Sequence, residues 1–220
     1  MAVAFDASSQ ASSSGSVNSL TWAHTCTGTD RILIVLFGEN TGTPSQSTVT
    51  YDGVSMTAFS TVSSPFANNK IGWYLINPAS GANNIVATRT TTSTAVIRGV
   101  AASYTGAKQS GQPDAQNTFN VASSTSGSAA ITPVADNCWH IVTYNNDSSS
   151  TVSAGASTTR RQANTGDASM AILDSNAPIT AGVSNSLNFT TGVAVAHYGN
   201  TFSIAPSVAA SASGNFFAFM

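Results

Sequence analysis

The chain has 220 residues, of which 41% are hydrophobic and 7% are charged, against about 25% charged residues in an ordinary soluble domain. Its length and hydrophobicity support a sizeable core, and its seven scattered basic residues cannot form a surface that follows nucleic-acid phosphates. Serine and threonine number 34 and 28, whereas glutamate and lysine together number three. Because strand and turn formers greatly outnumber good helix formers, the composition predicts an all-β protein with little or no helix.

The N-terminal segment is dominated by small residues. Residues 7–16 form a Ser-rich, low-complexity stretch, which we interpret as a flexible linker or a long loop. Residues 1–16 are accordingly assigned to an N-terminal arm and linker, and residues 17–220 to a single β-sandwich domain.

Strand signals then follow at nearly regular spacing. Residues 20–24 alternate with a period of two, and residues 32–37 form a continuous apolar run that predicts a central strand buried on both faces. Asp52-Gly53, between two β-rich runs, is the turn signal of a two-residue hairpin. Further strands are predicted at residues 71–76, 85–90, 95–104, 118–121, 129–132, 138–144, 157–162, 169–173, 187–198 and 202–204. This succession of short strands predicts an antiparallel β-sandwich of jelly-roll type.

Signals for export, membrane spanning and disulfide bonding are weak. The sequence has no apolar run of about 18 residues, so no membrane partner is expected. Its start lacks the features of a Sec signal peptide, so synthesis in the cytoplasm and release by a route such as lysis are expected. Cys26 and Cys138 belong to no CxxC motif, and we expect two buried free thiols.

Candidate catalytic and metal-binding residues are few. His24, His140 and His197 show no metal-ligand spacing, so we expect structural histidines, no metal site and no cofactor. Glu39 and eight aspartates could supply the two carboxylates of a hydrolase, but most aspartates lie at predicted turns, where they cap the backbone. No nucleophile elbow or phosphate-binding loop occurs, so we predict no enzymatic activity, and a hydrolase is the weakest alternative.

Aromatic residues raise the question of binding. Trp22, Trp73 and Trp139 fall inside predicted strands, where alternation places them with core residues. An exposed platform of the same rings would instead make the protein a glycan-binding module of a fibre or of a secreted adhesin.

The sequence ends on apolar residues. Phe216, Phe217 and Phe219 would form an adhesive patch in water. We expect them to form a last strand or to contact a partner.

Five motifs carry a family resemblance: residues 20–22 (LTW), 30–35 (DRILIV), 49–57 (VTYDGVSMT), 73–81 (WYLINPASG) and 103–107 (SYTGA). In this order they resemble a broad group of β-rich structural proteins of tailed phages and related bacterial proteins of unassigned role. The resemblance implies a non-enzymatic virion component, most specifically a capsid decoration protein, or else a head or tail fibre module. It implies homo-oligomers and contact with the major capsid protein or another virion protein, and it implies no catalytic residues. Low charge fits this expectation, because like subunits then repel one another weakly.

Overall fold

The structure, a computed structural model, describes residues 1–39, 47–59, 70–89, 96–165 and 169–207. Within these ranges the chain forms fifteen strands and no helix, which confirms the predicted all-β class. The strands are β1 (Ala4–Ser12), β2 (Ser19–Cys26), β3 (Ile32–Glu39), β4 (Ser47–Tyr51), β5 (Val54–Ser55), β6 (Thr57–Ala58), β7 (Lys70–Ile76), β8 (Gly81–Arg89), β9 (Ile97–Thr105), β10 (Ala115–Ile131), β11 (Trp139–Asn146), β12 (Val152–Ala154), β13 (Thr159–Asn164), β14 (Met170–Asp174) and β15 (Asn185–Ile204).

These strands form three antiparallel sheets. The central sheet has the order β1-β9-β3-β7-β6. The first outer sheet has the order β2-β8-β4-β5, and the second outer sheet has the order β10-β15-β11-β14-β13, with β12 also paired to β15. One hydrophobic cluster joins the central sheet to each outer sheet, so the arrangement is a stack of sheets with the central one in the middle.

Strand β3 is the hydrophobic centre of this stack. Its even-numbered residues from Ile32 to Leu36 pack with Phe202 and other side chains of the second outer sheet. Its odd-numbered residues from Leu33 to Phe37 pack against the first outer sheet. Each such side chain stabilises the fold by about 2 kcal/mol through removal from water, so both faces of β3 require a covering layer. The predicted central strand buried on both faces is therefore confirmed.

The long hairpin of β10 and β15 covers the outer face of the second outer sheet. Val142 and Tyr144 of β11 point away from the central sheet and pack against Phe119 and Phe189 of this hairpin. The pairing of β10 with β15 is interrupted by irregularities between residues 121 and 126. Such bulges bend a strand, and here the bend lets one end of the hairpin pair within the sheet while the other end lies over it.

A buried ion pair links the central sheet to the second outer sheet. Asp174 is fully buried and accepts hydrogen bonds from Arg161 Nε at 2.6 Å and from the Tyr104 hydroxyl at 2.9 Å. The backbone N–H of Asn176 donates to its other oxygen at 3.0 Å. The Arg161 guanidinium also lies 4.3 Å from the centre of the Phe5 ring. Since Tyr104 and Phe5 belong to the central sheet, one carboxylate connects two layers.

The first strand corrects the interpretation of the N-terminal segment. Residues 7–16 were expected to be a linker or a long loop, but Ala4–Ser12 forms β1 and pairs with β9 along its length. Its small residues let β1 lie close to the neighbouring edges of β2 and β13. Asp6 accepts a hydrogen bond from the backbone N–H of Thr27 at 2.8 Å, which ties β1 to the end of β2. The serines here are strand residues because neighbouring edges offer them partners.

Other local expectations have mixed outcomes. Asp52 and Gly53 both have positive φ, at 50° and 74°, which confirms the predicted hairpin turn. Cys26 and Cys138 are both buried and free, as predicted.

The four separate strands predicted within residues 118–132 and 187–204 are two long strands, because their Ser, Asn and Gly residues continue the pairing across the bend. The three stacked sheets are consistent with a β-sandwich, whereas the expected jelly-roll order is not confirmed.

The buried ion pair gives a stability prediction. Asp174→Asn leaves the Arg161 charge without its partner, where the arginine side chain is only 13% exposed. We expect the free energy of unfolding to fall by about 3 kcal/mol, measured by urea denaturation. The same change at the partly exposed Asp147 serves as the control and should cost less than 1 kcal/mol, the usual range for a surface change (about 0.5 kcal/mol). Equal losses in the two variants would contradict a linking role for Asp174.

Candidate assembly surface

The buried histidines are held by internal hydrogen bonds. His140 is fully buried, and its ring nitrogens lie 2.8 Å from Asn185 Oδ1 and 2.6 Å from Thr201 Oγ1. Burial lowers the pKa of His140 to about 4, because the charged ring would lose its hydration. The side chain therefore stabilises the packing of the second outer sheet as a neutral group.

A second histidine secures the bend of the long hairpin. His197 Nδ1 lies 2.6 Å from the Tyr144 hydroxyl, which also accepts a hydrogen bond from Asn146 Nδ2 at 3.1 Å. The other ring nitrogen lies 2.9 Å from the Ser124 carbonyl oxygen, within the irregular part of β10. With the phenol donating to Nδ1, Nε2 carries the hydrogen that bonds Ser124. This chain of bonds fixes the bulge against β11.

The third histidine forms a Ser–His pair, an arrangement that could indicate a hydrolase. His24 Nδ1 lies 2.8 Å from Ser9 Oγ, and Trp22 Nε1 donates to the same oxygen at 3.1 Å. His24 is only 2% exposed, its Nε2 has no hydrogen-bond partner among the described residues, and burial lowers its pKa to about 4. A catalytic base needs an orienting partner on its second nitrogen and a pKa near the working pH, so this geometry favours a packing role.

The carboxylate of Asp114 likewise bonds groups of its own chain. Asp114 accepts hydrogen bonds from the backbone N–H groups of Val134 and Ala135 at 2.7 and 3.2 Å and from Ser203 Oγ at 3.1 Å. Asp114 thus joins the start of β10 to the backbone of residues 134 and 135 and to β15. Among the described residues, no group of three or more His, Cys, Asp or Glu side chains could hold a metal ion.

The three tryptophans lie in the core. Trp22, Trp73 and Trp139 are 7%, 8% and 8% exposed and belong to the clusters between the sheets. Core packing was the favoured prediction, and it is confirmed. Sugar rings stack on exposed aromatic faces, so these indoles do not provide the platform that a glycan-binding module was expected to use.

The sheet edges differ greatly in how they are protected. The edge strands β5, β6 and β12 have two or three residues each, and β13 carries Arg160 and Arg161. The edges β1 and β2 lie against each other and are bridged by the bonds of Asp6 and Ser9 described above. Short length, charge and cover are the usual devices that prevent a sheet from pairing with another chain.

Strand β10 lacks these devices. It has 17 residues, contains no charged residue and no proline, and pairs with β15 alone within the described ranges. Its polar side chains include those of Gln116, Thr118 and Asn120, all exposed. We call the open side of β10, residues 115–131, the β10 edge. Within the described part of the chain, the bend near residues 121–126 protects this edge.

An open depression of about 650 Å³ adjoins the β10 edge at this bend. Its walls include Asn120 and Ser123 of β10, Asp147 and Ser148 of the loop after β11, and residues 193–196 of β15. Val193 is 54% exposed here. Amide, hydroxyl and methyl groups around one carboxylate offer contacts to another protein surface, and they extend the β10 edge into a broader candidate surface.

The partner contact predicted from the sequence lies in a different segment, near the C-terminus. Phe216, Phe217 and Phe219, the predicted partner contacts, lie outside the described residues. The β10 edge was missed because residues 118–121 and 129–132 were interpreted as separate short strands. The absence of charge and proline from residue 115 to 131 was the available signal, but only the strand order shows that this segment is an edge.

Comparisons with known proteins found no match for this chain. The chain matches no protein-family model, and neither the curated proteins nor the solved structures give a match. Within the described residues no helix is long and apolar enough to cross a bilayer.

The buried histidines predict a loss of stability in acid. Between pH 6.5 and about 4 the unfolded chain binds protons that the buried rings of His24 and His140 do not, so the free energy of unfolding falls as pH is lowered. The loss is about 3 kcal/mol per histidine when the window is crossed completely. Urea denaturation between pH 7 and 4 measures it.

His140→Gln removes one titrating group and should reduce the slope of stability against pH in this window. The variant also lowers stability at pH 7, but the slope is independent of that offset. Identical slopes for the native chain and the variant would show that His140 titrates normally in the folded protein.

Proposed function

We propose that this protein is a non-enzymatic structural subunit of a virus particle, most specifically a capsid decoration protein that acts through contacts with its own copies and with the shell. The observation that carries the proposal is the β10 edge, which is long, exposed, uncharged and free of proline. An edge of this kind is a template for pairing with another chain, and monomeric proteins avoid it. A protein that works by assembly has a use for it.

The hydrogen bonds of the buried polar groups also support a structural role. The buried imidazoles, Asp114 and Asp174 each bond groups of their own chain and hold the layers together. In the Ser9–His24 pair, no carboxylate of the described residues bonds Nε2 of the histidine. These hydrogen bonds hold the sheets in fixed relative positions. A shell component requires such a rigid fold.

The surface chemistry also fits a component that packs beside copies of itself. A net charge of −2 over 220 residues gives little long-range repulsion between subunits. Short Ser and Thr side chains lose less conformational entropy on burial at a contact than Lys or Glu. The resemblance of the five sequence motifs to tailed-phage structural proteins adds support of a separate kind.

The proposal predicts that the chain is a stoichiometric component of virus particles. Tailed-phage particles purified from a lysate of the source culture by density gradient should contain it in amounts comparable with the major capsid protein, measured by quantitative mass spectrometry. A soluble host protein measured in the same fractions reports carry-over.

Copy number separates the possible positions. An amount matching the shell lattice supports decoration, whereas a few tens of copies per particle would replace it with a tail or fibre position. Finding the chain only outside the particles would overturn the virion proposal.

A further inference from the structure

We propose that protonation of His24 opens the contact between β1 and β2 while the other strands stay folded, so that this edge of the stack responds to acid. The inference is independent of the proposed virion role. The contact joins two edge strands of different sheets, β1 of the central sheet and β2 of the first outer sheet. Because β1 pairs with β9 and β2 pairs with β8, side chains of β1 make the link to β2.

Ser9 is the residue of β1 that bonds His24. His24 Nδ1 lies 2.8 Å from Ser9 Oγ, and Trp22 Nε1 donates to the same oxygen at 3.1 Å. The serine hydroxyl then donates to Nδ1 of a neutral ring whose own hydrogen lies on Nε2. This Nε2 is buried and has no hydrogen-bond partner among the described residues. The link between the strands therefore depends on a neutral imidazole.

A proton on Nδ1 of His24 disrupts this arrangement. The ring then carries a hydrogen on both nitrogens, so the hydroxyl of Ser9 loses its acceptor. The charged ring also loses its hydration in a site where the side chain is only 2% exposed. Burial accordingly lowers the pKa of His24 to about 4, although the charge of Asp6 acts in the opposite direction. Separation of the two strands admits water to the ring and removes this cost.

Asp6 makes the other link between β1 and the end of β2. It accepts hydrogen bonds from the N–H and the hydroxyl of Thr27 and from Ser103 Oγ of β9, the last at 2.7 Å. Burial acts to raise the pKa of Asp6, but these hydrogen bonds outweigh it and lower the pKa below its usual value. The carboxylate thus stays ionised above about pH 4, and within the range from pH 6.5 to 4 the change of charge at this contact belongs to His24.

The remaining titratable groups around His24 keep their charge in the same range. In the described part of the chain these groups are Tyr51 of β4, whose ring centre lies 6.4 Å from that of His24, and Cys26 of β2 itself. Burial raises the pKa of both, that of Tyr51 to about 12, so both stay neutral. Arg89 of β8 and Arg98 of β9 lie at other register positions along their strands.

The three buried histidines differ in what their protonation requires. His140 lies on β11 and His197 on β15, and each of these strands pairs with a neighbour on both sides. Water reaches those rings when the second outer sheet comes apart. His24 instead lies on an edge strand whose adjacent edge, β1, belongs to another sheet. Separation of β1 from β2 therefore breaks no ladder of backbone hydrogen bonds.

The far end of β1 is held by groups that do not titrate. Asn164 of β13 donates to the carbonyl oxygen of Ala11 at 2.8 Å and accepts from Ser12 Oγ at 3.1 Å. Because these groups are neutral at every pH considered, acid leaves this end of β1 attached while the contact at Ser9 and His24 opens.

Cys26 reports the state of this contact. Its side chain is fully buried on the same face of β2 as His24, and Ser103, which donates to Asp6, also hydrogen-bonds the thiol. Opening between β1 and β2 thus exposes Cys26 to a reagent in solution. Cys138 is equally buried but belongs to a separate cluster, so it serves as the internal control.

The first test measures how fast dithiodipyridine labels the two thiols between pH 7 and 4.5, at reagent concentrations where the rate is proportional to the reagent. Cys26→Ser and Cys138→Ser assign each rate, which is divided by the rate of the urea-unfolded chain at the same pH. The corrected rate of Cys26 should rise about seven-fold from pH 6 to pH 5, because the opened ring binds its proton near pH 6.5 and the closed ring near pH 4. Cys138 should react more slowly than Cys26 in acid.

The second test removes the titrating ring. His24→Gln keeps an amide that can bond Ser9 but binds no proton, so the corrected rate of Cys26 should not vary with pH. His140→Gln changes the other fully buried histidine and is the matched control, which should leave the rise at Cys26 intact. Ser9→Ala weakens the link but keeps the ring, so Cys26 should react faster at every pH and the rise with acid should persist.

Equal corrected rates at Cys26 and Cys138 across the range would show unfolding of the whole chain and would overturn the inference. A rise at Cys26 that persists in His24→Gln, or that disappears in His140→Gln, would overturn it as well. If His24→Gln does not fold at pH 7, Ser9→Ala decides, because a rate of Cys26 equal to that of the native chain would contradict the link. None of these outcomes depends on whether the chain is found in virus particles.

Discussion

The fold depends on the burial of β3 on both faces. A strand that carries apolar side chains on both faces is not stable at a surface. The central sheet therefore needs a covering layer on each side. The first outer sheet provides one cover with Trp22 and Ile85, and the second provides the other with Ile141 and Phe202. The same constraint then acts on β11, whose far face is covered by the bent hairpin of β10 and β15.

Stacking several layers places polar groups where water does not reach them. Asp174, His140 and Tyr144 lie on strands that are buried on both sides, and each has a hydrogen-bonding partner from another strand. A buried polar group without a partner costs free energy, so these networks fix the relative position of the layers. Their use in the interior leaves the surface, and above all the β10 edge, as the part of the molecule available for contacts.

The sequence predicted those elements whose residues alone determine their environment. Residues 32–37 are apolar throughout and Asp52-Gly53 accepts positive φ, so the central strand and the hairpin were predicted correctly. Residues 4–12 and 115–131 are small and polar, a composition shared by loops and by strands at a sheet edge. These segments are strands because β1 pairs with β9 and β10 pairs with β15. Pairing between residues far apart in the sequence produces no local pattern that could predict it. The candidate surface is a property of strand order, which explains why it could not be predicted.

The two buried cysteines have a consequence for the conditions that the protein tolerates. Cys26 belongs to the cluster between the central and first outer sheets, and Cys138 belongs to a small separate cluster with Ile131 and Ile179. Burial raises the pKa of both thiols, that of Cys138 to about 12, which disfavours the thiolate that attacks disulfides or reacts with oxidants. Both thiols are free, so no disulfide holds the layers together. The same folded state is thus compatible with a reducing cell interior and with an oxidising medium.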